Sequence, residues 1–492
     1  MTGKVYPVDG LTDDIVEKYI HEKKPFSLKK YIIDNLFDYK LNTYLSLIFK
    51  RNRFQHLNTP VNFVIHELIE NAYKANLKRV FFKLNGYKIF DIENYDERVA
   101  KFTNFLKHGY DELNSHAEDM GLYVKVIFKE YADNNFKLYV VNNSLLNDIE
   151  TKRIKEKINS FEHQYEEPQK SLKIIDEAEG AGMGLFLSLK LLNKAGISPQ
   201  CISIGIYEEK TIAMLSFSYE EANPPPYNII TSEILKVIDT LPKYPENINH
   251  ILEKLKNPEI TISEIANHIT KDPALSADLL KLVNSAEFTL VRKIASIREA
   301  INFVGLNGLK NLLYSYGAIK TINNSFGNVP EVWEHSHKTG LYSSKIAKIY
   351  KLAKNTDEFF TAGLLHDIGK IVLMNFDKEK AKHIEKVCME KGVDMPVMED
   401  IIFGLTHARI GGKIVQYWEY PESLVQAIMY HHEPVSAASH FELVYAVYLA
   451  NIISLADKNN ITIYDIEPVV AKEFSLETTD DLIILIEKLE TV

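Results

Sequence analysis

LPKYPENINHILEKL (residues 241–255), ISEIANHITKDPALSADLLKLVNSAEF (262–288) and IASIREAINFVGL (294–306) decide how the second half of this chain folds. In each stretch apolar residues recur three and four positions apart, the period of a helix with one buried face. Asp272-Pro273 and Asn284-Ser285 fall between periodic runs and mark turns. Helix-length segments of the same kind continue to about residue 456, with further turns at Asn257-Pro258 and Pro421 and almost no strand signal. An all-α domain is expected over 231–456, followed by a tail, 457–492, that begins with a short β-rich patch and closes with a helix at 480–490.

Upstream, EEANPPPYN (220–228) is the clearest boundary in the chain. Consecutive prolines continue neither a helix nor a sheet ladder, so 220–230 reads as a stiff linker, with Thr231 or Ser232 capping the next helix. Before it, 59–219 is mixed α/β. Residues 61–76 read as a helix, and 79–84 (RVFFKL), 122–130, 136–142, 201–207 and 210–218 read as strands. Residues 1–58 read as a helical extension whose second helix spans Phe26 to Phe49. At 492 residues, the chain exceeds one compact core, so several domains are expected.

Composition narrows the function. Apolar residues make up 46% and charged residues 25%, which suits folded domains rather than long disorder. The formal net charge of -10 argues against a general binder of nucleic acid or anionic membrane, and leaves room for a local basic patch. Two cysteines, Cys201 and Cys388, fit a reducing compartment. The first residues, MTGKVYPVDG, lack the apolar core of a signal peptide, and no apolar run approaches the roughly 18–20 residues of a membrane span. A cytoplasmic location without membrane insertion is the expectation.

Two stretches of the α/β region carry chemistry. In HELIENAYKAN (66–76), Glu67 and Asn71 lie four apart and share a helix face. An asparagine oxygen suits Mg2+ on a nucleotide, and a glutamate one turn away could activate water as a general base. The same spacing suits the polar face of an amphipathic helix. In GAGMGL (180–185), glycines open a helix, where backbone N–H groups favour phosphate. A plain turn before a packed helix is the other reading.

Taken in order, these stretches resemble the GHKL superfamily of ATPases and histidine kinases over about 59–219. Glu67 and Asn71 match its first box; Gly180, Gly182, Gly184 and Leu185 match its last. The resemblance implies an α/β sandwich that binds ATP with Mg2+, Glu67 serving as the base. The middle box departs from the family: Asn142 or Asn143 stands where it has an adenine-reading aspartate, and its glycines are missing. An insertion at about 86–121 is also unusual. Weakened nucleotide binding is therefore expected. His56 lies too near Asn71 to sit on a phosphoacceptor hairpin, so autophosphorylation is not expected.

The second half resembles the HDOD family, relatives of HD phosphohydrolases. The three opening stretches carry that resemblance, with VWEHS (332–336), GLLHDIGK (363–370), THARIGGKIVQYWEYP (406–421) and AIMYHHEP (427–434). It implies a divalent-metal set at His335, His366, Asp367, His407, His431 and His432, with Asn451 where an aspartate is expected. The Gly-Tyr-Pro signature of the cyclic-di-GMP phosphodiesterase branch is absent after His432. Two readings stay open: histidines kept as hydrogen-bonded structural residues, or a metal centre that cleaves phosphoesters. The combined expectation is a multidomain signalling protein. A degenerate nucleotide-binding domain is joined to a largely non-catalytic HDOD platform for protein partners, and the N-terminal helices suggest a homodimer.

Overall fold

A computed structural model describes residues 5–7, 12–88, 93–106, 108–131, 134–163, 183–222, 229–242, 245–284, 293–353, 356–391, 393–456 and 461–491. The chain divides into two compact units, Met1–Pro226 and Tyr227–Val492. No helix of the described residues is long and apolar enough to cross a membrane.

The first unit is a six-stranded sheet backed by helices. Its strands are β1 (Val5–Pro7), β2 (Phe26–Lys30), β3 (Val124–Glu130), β4 (Asn135–Asn142), β5 (Ile202–Tyr207) and β6 (Lys210–Ser218), in the order β1-β2-β3-β4-β6-β5. Among the described residues only β1 and β2 pair in parallel. The helices are α1 (Asp13–Glu22), α2 (Asn35–Asn52), α3 (Asn58–Leu84), α4 (Tyr95–Leu106), α5 (Tyr110–Asp119), α6 (Asp148–His163) and α7 (Met183–Lys194). Alternate strand residues such as Phe26, Val126, Leu138 and Leu215 join residues of α2 and α3 in one core cluster.

Three expectations are corrected here. Residues 79–84 are not a strand: they finish α3, because Tyr73, Leu77 and Val80 bury with helical spacing and carry RVFFKL with them. Phe26 to Phe49 is not one helix. Phe26 and Leu28 point into the core from β2, Phe26 stacks on Phe128 at 4.5 Å, and α2 begins only after Asp34 caps the Phe37 N–H. The β-rich patch after 456 forms a 3-10 turn, Ile463–Asp465, closed by a Thr462–Asp465 capping box.

The second unit is helical throughout its described residues. In order come α8 (Ile229–Asp239), α9 (Glu246–Lys254), α10 (Ile262–Ile269), α11 (Pro273–Val283), α12 (Ile297–Phe326), α13 (Pro330–Ile349), α14 (Asp357–Leu365) and α15 (Ile368–Phe376). These are followed by α16 (Lys378–Lys391), α17 (Met395–Phe403), α18 (His407–Tyr417), α19 (Glu422–Met429), α20 (Phe441–Leu455), α21 (Pro468–Glu473) and α22 (Thr479–Glu490). The turn residues act as caps: Asp272 accepts from the Leu275 N–H with Pro273 opening α11, and Ser296 accepts from the Glu299 N–H at the start of α12.

Candidate metal centre

Five separate segments deliver these polar side chains of the second unit to one place. His335 comes from the middle of α13, and His366-Asp367 form the turn between α14 and α15. His407 is the first residue of α18, set by the Thr406 side chain accepting from the Arg409 N–H. His431 and His432 follow α19, and Asn451 sits on α20. Glycines let these helices meet. A Cβ on Gly363 would come within 2.7 Å of the Gly340 Cα, so α14 lies directly on α13. A Cβ on Gly369 would strike the His407 carbonyl, which brings α15 against the start of α18.

Asp367 is the hub. Its Oδ1 lies 3.1 Å from His407 Nε2, 3.5 Å from His366 Nε2 and 3.7 Å from His431 Nε2, while Oδ2 lies 3.8 Å from His335 Nε2. His432 Nε2 is 3.0 Å from His407 Nε2. Two ligand-like groups thus share Asp367: one with His407, His431 and His432, the other with His335 and His366.

The outer nitrogens are fixed by the fold. His366 Nδ1 donates to the Gly363 carbonyl (2.7 Å), and His431 Nδ1 donates to the Ile428 carbonyl (2.8 Å). This sets the tautomer and leaves each Nε2 lone pair facing Asp367. Both Nε2 atoms are buried and lack any protein hydrogen bond. A buried polar atom without a partner is costly, and a cation between these atoms would satisfy both. The donor set of imidazoles and one carboxylate suits a divalent transition metal. The residues therefore fit the metal that the HD relationship implies.

Electrostatics suit three of these imidazoles as neutral donors, while His407 must give up a proton to join them. Burial pushes His366 down to about 4 and takes His431 and His432 well below the usual imidazole range, so these three are neutral at pH 7. Burial alone would raise the Asp367 carboxyl, but His366 and His407 outweigh it and hold it well below the usual range. Burial would also lower His407. Glu399 and Asp367 on either side win, and lift it to about 10.

Glu399 is the residue that sequence reasoning missed. It lies on α17, is 4% exposed, and accepts from both the His407 backbone N–H (2.8 Å) and Nδ1 (2.7 Å). A carboxylate pair, Glu399-Asp400, inside the otherwise apolar run of MPVMEDIIF was the available signal. At the opposite side, His335 Nε2 donates to Asn451 Oδ1 (3.0 Å), and the Ser454 hydroxyl lies 3.3 Å from His335 Nδ1. The neutral amide occupies the nitrogen that would otherwise face a cation.

In the first unit, Asn71 Nδ2 donates to the Glu67 carboxylate (2.7 Å) one turn back on α3. The same carboxylate fills the space where a Cβ on Gly184 would stand, so Glu67, Asn71 and the start of α7 meet. Leu185 is buried in the core. Asn142 is turned inward, donating to the Ala72 carbonyl (3.2 Å) and lying 3.3 Å from Asn76 Oδ1; Asn143 Oδ1 accepts from the Tyr123 N–H. Gly180 and Gly182 lie outside the described residues.

Among known families, the HDOD domain matches residues 241–434. An uncharacterized protein of Treponema pallidum (strain Nichols) is 28% identical over 439 residues, covering 89% of this chain and 85% of its own length. The Bacillus subtilis (strain 168) protein YuxH, also uncharacterized, is 34% identical over 64 residues, 13% of this chain and 16% of its own. A crystal structure of an HDOD domain protein of unknown function from Geobacter sulfurreducens is 22% identical, with 53% of this chain and 93% of that one covered and a TM-score of 0.43. Another, from Shewanella amazonensis SB2B and provisionally named a metal-dependent phosphohydrolase, is 18% identical over 53% and 96%, with a TM-score of 0.37. At these scores the structural likenesses carry no weight in the assignment. The family match and the residues around Asp367 carry it: the C-terminal half of this chain holds an HDOD domain, a relative of the HD superfamily.

Proposed function

We propose that this chain is a regulatory protein whose HDOD domain is built around a divalent-metal centre and serves as an output platform for protein partners. The observation that carries the reading is the pair of buried Nε2 atoms of His366 and His431, bare and facing Asp367. Asp367, His366, His407, His431 and His432 would hold the ion. When bound, such an ion supplies Lewis acidity and lowers the pKa of bound water. The protein's own part is orientation. The Gly363 and Ile428 carbonyls fix two tautomers, and Glu399 fixes a third imidazole.

Asn451 sets the regulatory reading above catalysis. With a neutral amide there, one carboxylate faces the cluster, and the His335 side of Asp367 is held by hydrogen bonds. One ion per chain is expected. The test is elemental analysis of the purified chain after loading with Mn2+ or Fe2+ and desalting, beside a His366→Ala, Asp367→Ala variant. Stoichiometric metal lost in the variant supports the reading; no metal in the parent sinks it.

A second reading, a metal-dependent phosphohydrolase, is favoured by the two ligand groups that share Asp367. It requires turnover of a simple phosphodiester by the metal-loaded protein that stops in the same variant. Absence of turnover removes it and leaves the regulatory reading intact.

For the first unit we propose a GHKL-like, degenerate pocket that senses a nucleotide such as ATP with Mg2+ and alters how partners engage the HDOD domain. The meeting of Glu67, Asn71 and Gly184 supports it, and the inward turn of Asn142 fits weakened base recognition. Calorimetric titration with ATP and Mg2+, beside Asn71→Ala, tests the pocket. Equal partner affinity with and without nucleotide would refute the coupling. An active ATPase or kinase would require turnover lost in Glu67→Ala. A homodimer and a cytoplasmic location complete the proposal.

A further inference from the structure

The helices of the first unit gather on one side of its sheet, and the opposite side has a composition of its own. Residues pointing there alternate with the core residues. Cross-strand pairing aligns Lys29, Lys125, Val141, Ile212 and Gly205 in one row and Ser27, Ile127, Tyr139, Met214 and Ser203 in the next. Ile127 and Val141 are buried, yet neither belongs to the core cluster, so they cover the far face.

Lysines and tyrosines interleave across this face. Lys29 lies over the rings of Tyr123 (4.1 Å) and Tyr31 (4.9 Å), Lys129 lies 5.8 Å from the Tyr139 ring, and Lys210 pairs across from Tyr207. Tyr207 is 56% exposed on the edge strand β5, and Tyr31 is 37% exposed. At one end of this face Glu208 and Glu209 form the turn between Tyr207 and Lys210. Lys29, Lys125, Lys129 and Lys210 make no ion pair with a described carboxylate. Lys125 is held below the usual lysine range by partial burial and by repulsion from Lys29 and Lys210. Crowded lysines without an ion pair among the described residues, in a chain with a net charge of -10, favour a polyanion over another copy of this acidic chain. The exposed Tyr207 and Tyr31 rings beside these lysines add stacking platforms of the kind that unpaired bases use.

We propose that this sheet face binds single-stranded nucleic acid, the lysines tracking phosphates and Tyr139 and Tyr207 stacking bases. The site is separate from the Glu67–Gly184 region, which lies on the helical side. Binding is sequence-tolerant, because ring stacking and phosphate contacts read no base edges.

The test is fluorescence anisotropy with the full-length chain and a labelled mixed-sequence oligoribonucleotide of about 12 residues, a length chosen to span one such face. About four phosphate contacts predict a log–log salt slope near -3. Lys125→Glu should weaken binding about tenfold or more and flatten the slope by about one unit. Tyr207→Ala, at the exposed rim where the fold tolerates truncation, should weaken binding about fivefold or more with the slope unchanged. No binding at low salt overturns the proposal. So does equal binding by both variants, or duplex bound as well as single strand. Tighter capture by phosphatidylserine vesicles than by the oligonucleotide overturns it too, in favour of a membrane surface.

Discussion

Replacing Glu399 tests whether the fold was shaped to present His407 to a cation. The carboxylate is buried and makes two hydrogen bonds to one residue, 2.8 Å to its N–H and 2.7 Å to Nδ1. Partners of this kind typically contribute about 10- to 100-fold in metal affinity, or roughly 1.4–2.7 kcal/mol. Glu399→Gln keeps an oxygen acceptor for the Nδ1 proton but loses the charge, so it should fall at the low end. Glu399→Ala loses both bonds and leaves the Nδ1 donor buried without a partner, so it should reach the high end. It should also lower stability by about 3–5 kcal/mol, the usual cost of breaking a buried charge pair. The assay is competition against a chromophoric chelator with the full chain, with thermal unfolding of each metal-free variant alongside. Equal metal affinity in the parent and the alanine variant would refute the positioning role. Equal loss in glutamine and alanine would refute the ranking of charge against hydrogen bond.

Other predictions follow from single contacts. Asn451→Asp should free His335 from the amide and add a carboxylate beside Asp367, raising bound metal from about one to about two ions per chain by elemental analysis. Gly363→Ala should push α14 off α13, costing roughly 1–3 kcal/mol in denaturant unfolding and weakening metal retention together. Phe26→Ala should cost about 3–5 kcal/mol, since Phe26 is fully buried on Phe128. Glu150 gives a pH signature. Burial would raise its carboxyl, but Arg79 and Lys78 outweigh it and hold it at about 2, below the ordinary 4.5. Burial also pulls the Lys78 ammonium below its usual range, although Glu150 beside it opposes that and keeps the pair charged. A depressed carboxyl stabilises above its unfolded pKa, and the effect is lost as pH falls from about 4.5 to about 2. Glu150→Gln should therefore cost up to about 3 kcal/mol at pH 7 and almost nothing at pH 2, read by urea unfolding.

The residues differ in how far sequence revealed them. The helical half was legible because its caps and turns are local: Asp272 before Pro273, Ser296 before Glu299 and Thr406 before His407 act within one turn of helix. The histidines and Asp367 were legible as a set only through the HDOD resemblance of VWEHS, GLLHDIGK, THARIGG and AIMYHHEP. RVFFKL was misread because a short apolar run looks alike in a strand and in a buried helix end, and only the packing of α3 separates the two. FSLKK was misread for the converse reason: its partner β3 lies about a hundred residues away, so no local pattern announces the pairing. Glu399 escaped because its role depends on a contact across the turn between α17 and α18. The lysine–tyrosine face escaped because its members come from separate strands and become neighbours only through register.

The most direct measurement for the central claim is the metal content of the intact chain. The protein would be loaded with Mn2+ or Fe2+, passed through a desalting column and analysed by inductively coupled plasma mass spectrometry, beside the His366→Ala, Asp367→Ala variant. The account predicts about one ion per parent chain and almost none in the variant. Metal well below one per chain in the parent, or equal metal in both, would contradict it.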